Sequence, residues 1–501
     1  MVAVLARPGY PRRLAIVASL LLAVTARADE LGEAGGFTLR LDTNVRVSLA
    51  FRTQAADPAL LANINADDGD RAFAPGPVSE RIDIVSELSA ERDALGFDVS
   101  GQGWYDAAYN TGHADDSPAT WNGVASSPHG FAPDVRSLMG RQAELLNAFV
   151  RDTVPVAGTP VTVSIGRQTL LWGESLLFPE NGIAAAQAPV DEIKSLTAPL
   201  AEAREVFLPV TQIVIRAGLG GGASLEFYDQ WEWRRDRVPG VGSFLSTVDF
   251  LDQGGERYLA AGQLPTLYRS GDASPHGIGQ FGVALRQTGG ALDWGLYALR
   301  ADARAPVLIL DPAYASYHLA FPRGIGVFGA SLSSYVGNAN VAAELSLHRG
   351  TPLDETIPSS NAPVLSGGGS AYAAFAGVGH AREDGSLPTL PMSNGMRGTS
   401  LNAQSSLSAE MPPGFLADSA DVAAELAGNV LVSGAVPSGR TAGALAARAV
   451  VTLHYYRVRA GLDLSAPLGF GIGLAGRSSV DASQNAGAGF VSAGLGATFH
   501  V

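Results

Sequence analysis

Phe37-Thr38-Leu39-Arg40-Leu41-Asp42-Thr43-Asn44-Val45-Arg46-Val47-Ser48-Leu49-Ala50-Phe51 alternates apolar and polar side chains almost without a break. The odd positions are apolar except Thr43, and the even positions hold Arg40, Asp42, Asn44, Arg46 and Ser48. Successive strand side chains point to opposite faces, so one face of this segment is apolar and the other charged. Strands of soluble domains average about five or six residues. A tilted membrane-crossing strand needs about nine to eleven, with apolar residues toward lipid and polar residues toward a lumen. The stretch therefore predicts a wall strand of a transmembrane β-barrel, an all-β antiparallel fold.

Upstream, Met1–Ala28 has the three parts of a secretory signal peptide. Arg7, Arg12 and Arg13 form the positive region, Leu14–Ala26 the apolar region, and Ala26-Arg27-Ala28 before Asp29 a small-residue cleavage site. The apolar run is too short for a membrane helix, which needs about twenty residues. The chain is expected to be exported, and residues 29–501 to form one barrel domain in the outer membrane. Downstream, the longest apolar stretch, Ser370–Gly379, is broken by glycine. Membrane residence therefore requires a closed barrel, because lipid tolerates no unpaired backbone. The absence of cysteine fits a large barrel that needs no disulfide.

Composition agrees. Sixty glycines and a charged fraction of 16% suit many strands and turns. The net charge of −14 becomes more negative when the leader and its arginines leave, which argues against nucleic acid as a partner. Lys194 is the single lysine.

The alternation recurs. In Val78–Arg92, Ile82, Ile84 and Leu88 oppose Arg81, Asp83 and Glu87, and Phe97–Tyr105 follows after a tight turn at Asp93–Gly96. Further strands are expected at Val161–Arg167, Gln212–Ala217, Ser224–Trp233, Gln280–Gln287, Asp293–Arg300, Gly326–Val336, Asn340–His348, Ala447–Tyr456, Ala460–Ala466 and Gly489–Val501. Long polar stretches at Gln54–Pro77, Thr111–Val135, Arg234–His276 and Thr351–Ser400 alternate with short turns, as in outer-membrane barrels. The mature length accommodates roughly 14 to 18 strands. Phe37–Phe51 would be the first wall strand and would pair with Gly489–Val501 to close the barrel.

One passage does not read as strand. After Gly166-Arg167-Gln168 an irregular segment, about residues 170–207, carries helix-start signals at Pro189–Leu196 and a second helical stretch at Leu200–Phe207. Such an insert folds into the lumen as a constriction or a plug. Its charges Glu174, Asp191, Lys194, Glu202, Arg204 and Glu205 either set selectivity or fasten the insert to the wall. Strand phase adds Arg40, Arg46, Arg81, Glu87 and Arg167 as candidate lumen residues.

The chain resembles the bacterial domain of unknown function 1302 family over nearly its whole mature length. The matching pieces are Ile64-Asn65-Ala66-Asp67-Asp68-Gly69-Asp70-Arg71, Gly166-Arg167-Gln168, Trp172-Gly173-Glu174-Ser175, Ala188-Pro189-Val190-Asp191, Leu208-Pro209-Val210, Gly461-Leu462-Asp463-Leu464-Ser465 and Gly476-Arg477-Ser478-Ser479. The resemblance implies an outer-membrane β-barrel and brings no established activity, with a hint of export or handling of hydrophobic compounds. It also implies a further terminal hairpin ending in an aromatic residue, whereas this sequence ends Phe499-His500-Val501. The last strand either closes a smaller barrel or belongs to a longer one.

Catalytic and metal chemistry find little support. Asn65, Asp67, Asp68 and Asp70 around Gly69 offer oxygen ligands for calcium, but their spacing lacks the distant glutamate of an EF-hand loop and reads as an acidic turn. The eight histidines are scattered without zinc spacing. His348 and His454 lie near strand ends without a nucleophile elbow. No catalytic, cofactor or metal residue is assigned. The expected function is a porin-like channel or transport component for small or hydrophobic solutes, with a lipid-acting hydrolase and a non-conducting structural or assembly barrel as alternatives. Expected partners are outer-membrane lipid and the barrel-assembly machinery, with periplasmic or inner-membrane transport components as further candidates.

Overall fold

A computed structural model describes residues 2–5, 15–197, 206–353 and 396–499, apart from 59, 125, 247, 261–264, 415, 438 and 461. Its main element is one 19-stranded sheet in which consecutive long strands pair antiparallel. The wall strands are β1 (Phe37–Arg52), β2 (Gly76–Arg92), β3 (Leu95–Asp106), β4 (Arg141–Val156), β5 (Thr159–Gln168), β6 (Val210–Gly220), β7 (Ala223–Gln230) and β8 (Gln280–Gln287). They continue as β9 (Asp293–Ala301), β10 (Ile325–Val336), β11 (Ala339–Pro352), β12 (Arg397–Met411), β13 (Ser419–Ser433), β14 (Gly443–Arg459) and β15 (Leu462–Gly476). The fold is the all-β antiparallel architecture that the alternation predicts; the fifteen long strands named here fall within the expected 14 to 18, while the whole sheet, short strands included, holds 19 among the described residues.

Burial shows which face is which. On β2, Ile82, Ile84 and Leu88 are 39%, 45% and 40% exposed, while Arg81 and Asp83 between them are 4% exposed. The same inversion of a soluble core recurs at Phe97, Phe227, Phe328, Leu345, Leu426 and Phe470, all exposed on the outer face. Polar residues such as Gln102, Gln212, Gln230, Glu344, Gln404 and Glu425 are buried on the inner face. An apolar outside around a polar inside is the pattern of membrane-crossing barrels.

The connections segregate by length. β2–β3, β4–β5 and β6–β7 are joined by two-residue turns, as the strand bounds show. In the β4–β5 turn Ala157 and Gly158 have φ of 51° and 83°, and in the β6–β7 turn Gly221 and Gly222 have 60° and 87°. Two successive positive φ values match the right-handed twist of the flanking strands, hence the glycines. The intervening connections, such as 107–140, 169–209 and 231–279, are long and leave the wall at the opposite strand ends. The 231–279 and 302–324 connections contribute a second, four-stranded sheet, Arg257–Tyr258, Leu267–Arg269, Ser316–Ala320 and Val307–Asp311. Phe250, Leu267, Leu308, Leu310, Tyr317 and Leu319 form its core.

The seam differs from expectation. Among the described residues, Phe37–Arg52 does not pair with Gly489–Phe499; a strand at Ala15–Ala34 occupies that edge along its length. Gly489–Ala493 and Gly496–Phe499 extend from β15 instead. Ala23 and Val24 align parallel with Thr498 and Phe499, so the edges meet without a long antiparallel seam. The expected leader Met1–Ala28 falls where side chains, and several whole residues, lie outside the described set.

Candidate functional site

The connection from β5 to β6 turns inward rather than standing clear of the rim. Trp172 is its anchor, almost fully buried, with its ring against Tyr228 at 5.0 Å and Tyr297 at 5.9 Å. Its indole N–H donates to the Glu226 carboxylate. Ile183 and Ala186 join Val214, Ala284, Leu299 and Val327 in the same cluster. These wall residues lie on the inner face, which is therefore not uniformly polar: where the insert docks, the barrel presents an apolar patch.

The insert then reaches strands far from its own. Glu344 of β11 accepts the backbone N–H of Glu174 at 2.8 Å and of Ile183 at 2.7 Å. Glu425 of β13 accepts three successive N–H groups, from Leu176 at 3.2 Å, Leu177, and Phe178 at 2.8 Å. Arg448 of β14 donates to the Leu177 carbonyl at 2.5 Å and lies 4.2 Å from the centre of the Phe178 ring. Asn181 is held by Gln404 and Gln484, at 3.2 and 2.9 Å. Backbone N–H groups of an irregular segment have no ladder partner, and a carboxylate accepting several of them supplies one. Each charge-assisted bond is worth about 1.5–3 kcal/mol net. The insert thus bridges the lumen from β5 and β6 to β11 through β14.

Its second half meets the nearer wall. The described helix is Glu192–Thr197, starting after rather than at Pro189, and most of the second expected stretch, Leu200–Phe207, lies outside the described residues. Asp191 caps it, accepting the Lys194 backbone N–H at 3.0 Å. The other Asp191 oxygen pairs with Arg237 at 2.6 Å. Arg237 also reaches Glu144 of β4 at 2.7 Å, and Arg234 reaches the same carboxylate at 3.3 Å. Gln102 of β3 donates to Glu144 at 2.5 Å and accepts from the Lys194 ammonium. Lys194 is 1% exposed, so its charge sits inside this polar network.

The remaining sequence candidates are distributed around the wall. Arg46 and Arg81 are buried on the inner face, and Arg81 pairs with Asp83 at 2.8 Å under Trp104. Arg40 is exposed near the short-turn rim. Glu87 is half-buried and Arg167 lies 3.6 Å from Glu232. Glu174 is half-buried. Glu202, Arg204 and Glu205 lie outside the described residues. Glu344 and Glu425 escaped the sequence reading, although each is an isolated carboxylate amid small or neutral polar residues of an inner face, Ser346, Gln404 and Ser406 among them.

Two other groups were singled out in the sequence. The Ser346 hydroxyl and His348 Nε2 lie 3.0 Å apart, both buried, and among the described residues no carboxylate hydrogen-bonds to that ring. A hydrolase triad needs an orienting acid on the histidine and an accessible nucleophile, and this buried pair shows neither among the described residues. His454 pairs with Asp421 at 2.8 Å, while Ser419 bonds to Tyr456 at 2.9 Å. In the acidic turn, Asp70 turns to Arg52 at 2.6 Å, but Asp67 and Asp68 stay together and are joined by Asp249 from the long 231–279 connection. Burial, and next the Asp249 charge, push the Asp68 carboxyl far above the usual carboxylate range.

Fold and site together define an antiparallel barrel whose lumen is crossed by its own insert. The family model described as "Protein of unknown function (DUF1302)" matches residues 10–501, and the chain belongs to that family. No curated protein matches it. Among solved structures it is similar to a Salmonella typhi OmpF complex with daunomycin, at 10% identity and TM-score 0.42, covering 92% of this chain and 98% of that one. An anion-selective porin from Comamonas acidovorans aligns at 11% identity and TM-score 0.34, covering 95% and 98%. Acinetobacter baumannii OccAB1 aligns at 9% identity and TM-score 0.38, covering 94% and 98%.

Proposed function

We propose that the protein is an outer-membrane, porin-like channel for small solutes, hydrophobic ones included, in which the 169–209 insert narrows the lumen. The observation that carries this reading is the insert's attachment to β11 and β13 across the lumen, through Glu344 and Glu425. A spanning loop fixed at both ends sets the bore of a barrel. The apolar outer belt supports residence in a bilayer, and export through the leader Met1–Ala28 would bring the chain there. Asp191, Lys194, Glu174, Arg46 and Arg81 are the charges best placed to line or brace the constriction.

Purified protein in planar bilayers is expected to conduct weakly, and Glu344→Ala with Glu425→Ala to conduct more, because the two carboxylates that bind the insert's backbone on the far side are gone. Deleting Ala184–Phe207 should act in the same direction. A silent wild type with a conducting double variant means that the insert shuts the pore at rest. No conductance and no solute flux in any of the three forms removes the channel reading and leaves a structural barrel.

A further inference from the structure

The acidic turn that follows β1 does more than reverse the chain. Asp67, Asp68 and Asp249 are each essentially buried, and one carboxylate oxygen from each lies within 4.8 Å of the others. Asp67 spends one oxygen on Arg71, and Asp68 spends its Oδ2 on the Asn122 backbone N–H at 3.0 Å. Asp249 Oδ2 accepts the Asp68 N–H at 3.1 Å. That leaves Asp67 Oδ1 and Asp68 Oδ1 wholly enclosed and, among the described residues, with no hydrogen-bond donor. The neighbouring Asn122 and Asp115, equally enclosed, also keep one oxygen each without a donor, Asn122 Oδ1 and Asp115 Oδ2. Among the described residues, Arg71 is the one cation bonded to the trio. Buried carboxylate oxygens without donors cost several kcal/mol unless a cation satisfies them.

We infer that Asp67, Asp68 and Asp249 hold a divalent cation of the calcium type at the long-loop rim. Oxygens bound to one Ca²⁺ at about 2.3–2.6 Å from it lie no more than about 5 Å apart, which the trio satisfies. An all-oxygen set without histidine or cysteine selects a hard cation over zinc or copper. Calcium tolerates irregular geometry and all-protein ligands, whereas magnesium keeps most of its waters. The ion would join the turn at 65–71 to the 231–279 connection, with the loop carrying Asn122 packed on both. The site does not depend on whether the barrel conducts.

The test uses the full chain refolded in detergent, with terbium and calcium as probes. Trp121 is buried beside Asn122 and can sensitise terbium emission. Saturable emission is expected, displaced by calcium and lost in Asp249→Asn and Asp68→Asn. Calcium should also slow tryptic cleavage of the rim loops at least tenfold in the wild type, reversibly with EDTA, and have no such effect in the variants. The inference is overturned if terbium gives no saturable emission. It is equally overturned if folded Asn variants bind terbium as the wild type does, or if they resist trypsin in EDTA as well as the calcium-loaded wild type does. That last result would mean that neutral, hydrogen-bonded side chains are all the site needs. Should either variant fail to fold, the wild-type terbium titration decides alone.

Discussion

At the scale of single residues, Gly173 shows how tightly the insert is fitted. Its φ is +93°, and a β-carbon there would lie 2.0 Å from Glu344 Oε2. Gly173→Ala therefore strains the backbone by about 1–3 kcal/mol and displaces the carboxylate that anchors Glu174 and Ile183. The expected outcome is an insert that melts or is cleaved by protease before the barrel unfolds, measured by limited proteolysis on heating. His113 offers a pH prediction. Its ring packs on Trp121 at 5.4 Å and Phe131 at 4.7 Å among the rim loops. Burial first, and His129 next, lower its pKa from 6.5 to about 4. Between those values the unfolded chain binds a proton that the folded chain refuses, so stability falls as pH drops from 6.5 to 4. His113→Phe should flatten that acid loss, read as the difference in loop melting temperature between pH 7 and pH 4.5.

At the scale of elements, the legible strands were those with strict alternation and bulky outer residues. Gln280–Gln287 has the bounds that its pattern predicts, and β1, β2 and β3 agree within a few residues. Three wall strands were not legible. In β4 the phase breaks at Leu145-Leu146, opposite a register shift between Val99 and Gly101, so the two faces exchange midway. β12 reads RGTSLNAQSSLSAEM, rich in serine and poor in bulky apolar residues, and β13 reads SADVAAELAGNVLVS, with a composition that suits a helix as well as a strand. Neighbouring ladders, not local propensity, make those segments extended. The insert was visible as a departure from alternation, and Asp191 and Lys194 as its charges. Its anchors were not, because a glutamate on a polar strand face looks like any lumen residue until the fold brings a distant backbone to it. The same limit hid Asp249 from the turn at Asp67 and Asp68: residues so far apart in sequence share no spacing.

At the scale of the whole molecule, the inverted burial makes a quantitative demand on the surroundings. Leu345 is 50% exposed on the outer face near the middle of β11, and Tyr335 is 76% exposed at the end of β10. Leu345→Arg is expected to cost about 2–4 kcal/mol when the barrel folds into a bilayer, and Tyr335→Arg about 0–1 kcal/mol. Urea titration in phosphatidylcholine vesicles measures both. Equal costs at the two positions would mean that the belt is not lipid-facing.

Leu176 and the glutamate that receives it are 249 residues apart, and Ile183 is 161 residues from Glu344. During synthesis the insert emerges long before either anchor exists. Contacts this remote are slow to form. The half-made chain therefore carries Phe178 unsheltered until β13 and β14 arrive, whereas Trp172 finds its partners earlier, on β7 and β9. The insert can be bolted to its far side only once the C-terminal half of the wall is present, so a chain halted before β13 would leave Leu176, Leu177 and Phe178 without their acceptor.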